Sequence, residues 1–170
     1  MKIERFLEDT IIKLLHNKSI TDIRVSELID DIGICKGTFY KYYCDKYDLL
    51  EHAFDTYYFN DIKKKATDLD SFIHLLIETA VKNRTVFINA YRSEDINSVR
   101  LYTCKLVRKY VEADVLGHGK DICDETIAVT LEIYSHYIVD FLNRCLRKDL
   151  YKNPEYCEKL MKIFYPEILK

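Results

Sequence analysis

The sequence predicts an all-α protein in two parts: a three-helix helix-turn-helix domain over residues 1–46 and a larger helical domain over residues 47–170. Three observations predict it. Apolar residues recur at intervals of three and four along nearly the whole chain, the spacing that lines one face of a helix. Only four Gly and two Pro interrupt 170 residues, too few for a turn-rich β architecture. One segment, IGICKGTFYKYYCDKYDLL from Ile32 to Leu50, sets a glycine turn between the end of one helix and the start of a short second one.

Each element follows from local chemistry. Ile3, Phe6, Leu7, Ile11, Leu14 and Leu15 give an amphipathic first helix of about sixteen residues. Residues 18–24 form a connection whose Ile20 and Ile23 tuck under a small core. Val25, Leu28, Ile29 and Ile32 make the second helix, and Gly33 ends it, where a left-handed C-cap favours a residue without a Cβ. In the third helix Phe39 and Tyr43 point inward, four apart as neighbours on one face must be. Asp45 caps a fourth helix, which runs through Leu49, Leu50, Ala53, Phe54 and Tyr57 towards Lys65.

The rest of the chain is again helical. Asp68, Asp70 and Ser71 offer caps to a helix containing Phe72, Leu75, Leu76, Thr79 and Ala80. Asn83 and Arg84 mark a break before a short helix with Val86, Phe87 and Ala90. Residues 94–115 carry Ile96, Val99, Leu101, Cys104, Leu106, Val107, Tyr110 and Val111, and Gly117-His118-Gly119 is the clearest loop. Residues 124–148 read as one long helix, and Asn153 with Pro154 at the first helical position opens the last. The expectation is about nine helices, no strand, no internal repeat and no low-complexity segment.

Composition narrows the function classes. Apolar content of 48% with 32% charged residues is that of a globular chain. A net charge of −2 excludes a polycation that coats nucleic acid without preference, so any DNA binding must come from local charge. Residues 35–47 supply such a patch, with Lys36, Lys41 and Lys46 against Asp45 alone. Met1 to Lys18 alternates charged and apolar residues and does not read as a signal peptide; no apolar run approaches the roughly 18 residues that span a bilayer. No membrane association and a cytoplasmic location are expected. The six cysteines, at 35, 44, 104, 123, 145 and 157, then read as reduced thiols, and no two form a CxxC pair. Scattered Cys and His lack metal-ligand spacing, so no metal, no cofactor and no catalytic residues are expected.

The short third helix has the chemistry of a major-groove reader. Gly37 lets the helix backbone approach DNA closely, and Thr38 offers a hydroxyl and a methyl to base edges. Lys36 and Lys41 reach guanine edges or phosphates, while Tyr40 and Tyr42 donate to phosphate oxygens, contacts that position without reading sequence. Lys46 adds a cation at the start of the next helix, whose N-terminus already attracts an anion. Over about residues 5–55 the chain resembles the DNA-binding domain of TetR/AcrR-family transcriptional regulators. Gly33 matches the turn glycine and Gly37-Thr38-Phe39-Tyr40 the G-[ST]-[LF]-Y core; Tyr43 matches the closing aromatic, Lys46 the phosphate-clamping lysine and Leu49-Leu50 the paired leucines. Cys35, where that family usually has Ser or Thr, is a poor helix cap, and Ile29 stands where it usually has alanine.

The resemblance implies a regulator, usually a repressor, that binds a palindromic operator on double-stranded DNA as a homodimer and is released by a small-molecule effector. Tilting of the fourth helix would change the distance between the two reading heads. Geometry also favours a dimer, because two heads about 34 Å apart read one palindrome. The expected interface is Ile127, Leu131, Ile138, Phe141 and Leu142 on the long helix with Leu160 and Phe164 on the last. His74, Tyr91, Tyr102, Cys104, Tyr134 and Tyr137, with Tyr110 and His136 beside them, are expected to line an effector pocket of unknown ligand class. Two alternatives stay open: an activator or co-regulator that docks a protein partner on the second domain, and a thiol enzyme using Cys104 or Cys145 with His74 or His136. Oxidation at Cys35 or Cys44 is a further route to control, since it would disturb the reading helix.

Overall fold

The computed structural model describes residues 2–93 and 98–170, and among these the secondary structure is helical with no strand. In chain order the helices are α1 (Lys2–Leu15), α2 (Val25–Asp30), α3 (Lys36–Tyr42), α4 (Lys46–Phe54), α5 (Asn60–Lys65), α6 (Leu69–Lys82), α7 (Arg84–Ala90), α8 (Val99–Gly117), α9 (Glu125–Arg147) and α10 (Pro154–Ile163). A π-helical turn, Asp55–Phe59, joins α4 to α5, so the helix foreseen from Asp45 to Lys65 is one element. Ile96, placed at the start of α8 by the sequence, lies outside the described residues.

The chain divides into two compact units, Met1–Asn60 with Thr85–Arg100, and Asp61–Arg84 with Leu101–Lys170. In the first, Leu7, Ile11 and Leu15 of α1 are fully buried and α1 packs against α4. Phe6, expected on the buried stripe, is 52% exposed, because the stripe that closes the core runs through Leu7, Ile11, Ile12 and Leu15. Ile20 and Ile23 are buried as foreseen, in and just after a short 3₁₀ turn (Ile20–Asp22) capped by Ser19. At the start of α2 the Glu27 carboxylate accepts the Arg24 amide at 2.8 Å and pairs with the Lys18 ammonium.

Helix α2 ends on Gly33 at φ +70°, with the Ile34 amide donating to the Ile29 carbonyl and the Gly33 amide to that of Asp30, a paired closure that satisfies the last carbonyls. Asp45 caps α4 by accepting the Tyr47 and Asp48 amides at 2.7 and 2.9 Å, and Asp48 in turn accepts the Cys44 amide at 2.8 Å. The unit extends past residue 46 because an aromatic cluster holds it together. The Phe54 ring meets Tyr58 and Phe87 at 5.1 Å and Phe59 at 5.6 Å. The Asn89 side-chain amide also donates to the Leu15 carbonyl at 2.8 Å, which ties α7 to the end of α1. A boundary at residue 46 follows helix order; the compact unit follows these long-range contacts.

In the second unit α9 packs against α6 and α10. Two phenols of α9 reach over α10: Tyr134 donates to the Met161 carbonyl at 3.0 Å and Tyr137 to that of Leu160 at 3.3 Å. Ile127, Leu131, Ile138 and Leu142, expected at a dimer interface, are instead buried inside this unit, because they form the face of α9 turned to its own core. Phe141 and Leu160 are half-buried, and Phe164 is exposed. Asp68 caps α6, accepting the Ser71 amide at 2.8 Å while the Ser71 hydroxyl receives the Asp68 amide. The Ser71 amide and hydroxyl hold the Asp68 carboxyl below its ordinary range. A carboxylate depressed in the folded state stabilises above its unfolded pKa, about 4, and loses that contribution as pH falls through the lowered folded value. Urea unfolding of wild type and Asp68→Ala is therefore expected to differ at neutral pH and to converge in acid.

Candidate nucleic-acid interface

The reading helix is fixed from inside. Phe39 is fully buried and Tyr43 nearly so, with ring centroids 6.0 Å apart. The Tyr43 hydroxyl donates to Glu8 of α1 at 3.5 Å; burial and the neighbouring Glu8 and Glu4 charges push this phenol well above its ordinary value, so it stays a neutral donor. With that face anchored, helical geometry turns Lys36, Gly37, Tyr40 and Lys41 outward together, and Tyr42 beside them. Tyr40 and Tyr42 are 55% and 40% exposed, and the Tyr40 ring meets Phe39 edge-on. Thr38 is half-buried at the edge of this face.

Gly37 needs no special backbone angle, and a Cβ built on it would meet only the Cys35 sulfur, at 3.9 Å. The position has room for a side chain, so a glycine there leaves the outward helix backbone uncovered. Cys35 occupies the N-cap without accepting a backbone hydrogen bond from its side chain, as its chemistry suggests. Its sulfur lies 3.3 Å from the Thr38 hydroxyl. That hydroxyl and the Thr38 and Gly37 amides lower the thiol's pKa.

Lys46 corrects the sequence reading. Its ammonium donates to the carbonyls of Ile20 at 2.8 Å, Ile23 at 2.9 Å and Thr21 at 3.3 Å. An ammonium has three donors, and three carbonyls of the α1–α2 connection take them. Lys46 thus clamps that connection onto the start of α4 and is not a side chain held out for a phosphate. Lys46→Ala is expected to lower stability by about 1–3 kcal/mol, the range for losing hydrogen bonds to a charged group. The salt dependence of DNA binding should change by less than one ion, because no phosphate contact goes with it; parallel urea and salt titrations of the variant check both.

Of the residues expected to line an effector pocket, Tyr110 borders a cavity of the second unit, and the others are not among its lining residues. Tyr91 belongs to the first unit, where it is buried against Phe87 at 5.7 Å. His74 is held 3.0 Å from Glu158, the Cys104 sulfur lies 3.7 Å from His136, and Tyr102 receives the Lys63 ammonium at 3.4 Å. Tyr134 and Tyr137 are bound to α10. The cavity measures about 700 Å³, and its walls include Lys63, Leu106, Lys109, Tyr110, Asp114 and His118. Among the described residues no three His, Cys, Asp or Glu side chains could together hold a metal ion, and no helix is long and apolar enough to cross a membrane.

Sequence reasoning missed the exposed apolar side chains of Val129 and Ile133 on α9; Ile163 on α10 is exposed as well, as is Phe164 just after it, which was expected at an interface. They interrupt the stripes that the eye follows, and only the direction in which α9 faces its core separates them from Ile127 and Leu131.

The fold and this exposed short helix define an all-helical helix-turn-helix protein. The chain is similar in structure to the dihydroxyacetone kinase operon activator DhaS, with a TM-score of 0.58 over 95% of this chain and 94% of that one. Sequence identity is 14%, so the likeness concerns the fold. No family model matches the sequence, and no curated protein does.

Proposed function

We propose that this chain is a sequence-specific DNA-binding transcriptional regulator of the TetR/AcrR kind, acting in the cytoplasm. One observation carries the reading: α3 buries Phe39 and Tyr43 and leaves Lys36, Gly37, Tyr40, Lys41 and Tyr42 on its open side. Two cations, two phenols and a bare backbone position form a surface suited to phosphates and groove floor. Thr38 at its edge is the base reader, and Lys46 supports the head from behind.

A homodimer supplies the second head, so the operator is palindromic with half-sites one DNA turn apart, about 34 Å. The exposed Val129, Ile133, Ile163 and Phe164, with half-buried Phe141 and Leu160, are the apolar side chains such a dimer would cover. The regulator is a repressor released by a small effector held in the second domain, residues 47–170. A ligand that prefers one arrangement of α4 shifts operator affinity by no more than its differential affinity for the two states. The alternative is an activator or co-regulator that docks a protein partner on that domain; it is favoured by the structural neighbour's description as an operon activator.

Selection of bound duplexes from a random DNA pool at two salt concentrations tests the reading. A recovered palindrome with salt-sensitive affinity supports it. Sequence-blind, weak binding at both concentrations would remove the operator and the regulator with it.

A further inference from the structure

We propose that Asn89 of α7 is a positioning residue for DNA recognition, holding the end of α1 and the α1–α2 connection in the arrangement from which α3 is presented. The inference rests on the regulator reading above, to which it adds a residue outside the reading helix. Asn89 stands 74 positions beyond Leu15 in the chain, yet its side-chain amide donates to the Leu15 carbonyl at 2.8 Å. Leu15 is the last residue of α1, and the last four carbonyls of a helix have no partner within it. Asn89 therefore caps α1 from a distant helix. The Ser19 hydroxyl, almost fully buried, donates back to the Asn89 carbonyl at 3.4 Å. The same oxygen accepts the Thr21 amide at 3.3 Å and the Thr21 hydroxyl at 2.9 Å, so it caps the 3₁₀ turn as well.

Helix α7 is itself firmly seated. Phe87 is fully buried, with its ring 5.1 Å from that of Phe54 on α4. Asn89 thus bears on α1 from a helix fixed against α4. The connection it holds is also the one gripped by the Lys46 ammonium, through the carbonyls of Ile20, Thr21 and Ile23. Helix α2 begins at Val25, directly after that connection, and the glycine turn and α3 follow. The placing of the connection therefore decides where α2 starts, and with it the direction in which the outward face of α3 points. Burial of Ile20 and Ile23 does not fix this direction, because apolar packing is non-directional, whereas hydrogen bonds set both distance and angle. The position calls for an amide: its nitrogen donates to Leu15, and a carboxylate of the same shape offers acceptors alone.

Two measurements on the full chain test the role together: titration of a labelled duplex recovered by wild type from the random pool, and amide hydrogen exchange of the free protein. Asn89→Asp keeps the side chain's shape and loses the donor. It is expected to weaken duplex binding about tenfold and to speed exchange over residues 16–43 while α9 keeps its wild-type rates. Ser19→Ala, a milder change at the same contact, should act in the same direction. Combined, the two should weaken binding by less than the product of their separate effects, because they share one contact. Ile138→Val, which loosens the core of the second unit, should leave the affinity of the folded chain unchanged and so separates positioning from stability. Wild-type affinity in both Asn89→Asp and Ser19→Ala, or faster exchange spread evenly over the whole chain, would overturn the proposal. Sequence-blind binding by wild type itself would overturn the regulator reading instead. Localised exchange in Asn89→Asp would then leave the hold of Asn89 on the head standing, and unchanged exchange would remove that too.

Discussion

Phe39→Ala is expected to lower the stability of the first unit by about 3–5 kcal/mol, the cost of emptying a fully buried aromatic site. Phe39 is the inward anchor of a helix only seven residues long, and a helix of that length does not hold itself together in water. Its ring meets Tyr40 edge-on at 5.2 Å and Tyr43 at 6.0 Å, so the loss also frees the tyrosines that frame the exposed face. Urea unfolding followed by circular dichroism should show the midpoint collapsing. Phe39→Leu, which keeps apolar volume, should recover most of the loss. A change under 1 kcal/mol for the alanine variant would mean that α3 is not held by this core contact.

Gly37→Ala is expected to move two quantities in opposite directions. A methyl at this position clashes with nothing in the chain, and alanine favours a helix over glycine by up to about 1 kcal/mol, so stability should rise slightly. Specific DNA affinity should fall at least tenfold, about 1.4 kcal/mol, because the methyl stands where the helix backbone would meet the groove. Paired unfolding and binding titrations read both. A variant that gains stability and keeps full affinity would show that α3 does not approach DNA by this residue.

Much of this was legible in the sequence because it depends on local rules. Gly33 at φ +70°, Asp45 on two amides and Asn153 before Pro154 are caps that need only their own neighbours to be recognised. The inward pair Phe39 and Tyr43 follows from helical spacing, and the outward lysines and tyrosines of α3 follow from that pair. What escaped depends on partners far along the chain. Nothing near Lys46 announces that three carbonyls at positions 20, 21 and 23 wait for its ammonium. Ile127 and Ile133 are equally apolar, yet one is buried and the other 65% exposed, a difference set by which side of α9 meets α6 and α10. Aromatic, histidine and cysteine side chains on α6, α8 and α9 and at Tyr91 suggested a pocket by type alone, but Tyr134 and Tyr137 serve the α9–α10 contact. A cavity lies beside Tyr110, which the sequence had offered, and Lys109, which it had not.

The central claim is that α3 reads base sequence through Thr38. Its most direct test is random-duplex selection carried out in parallel with wild type and Thr38→Ala. The account predicts palindromes of the same spacing from both, with the base preference altered at one position of each half-site. Identical preferences from the two proteins, at matched salt and protein concentration, would contradict it.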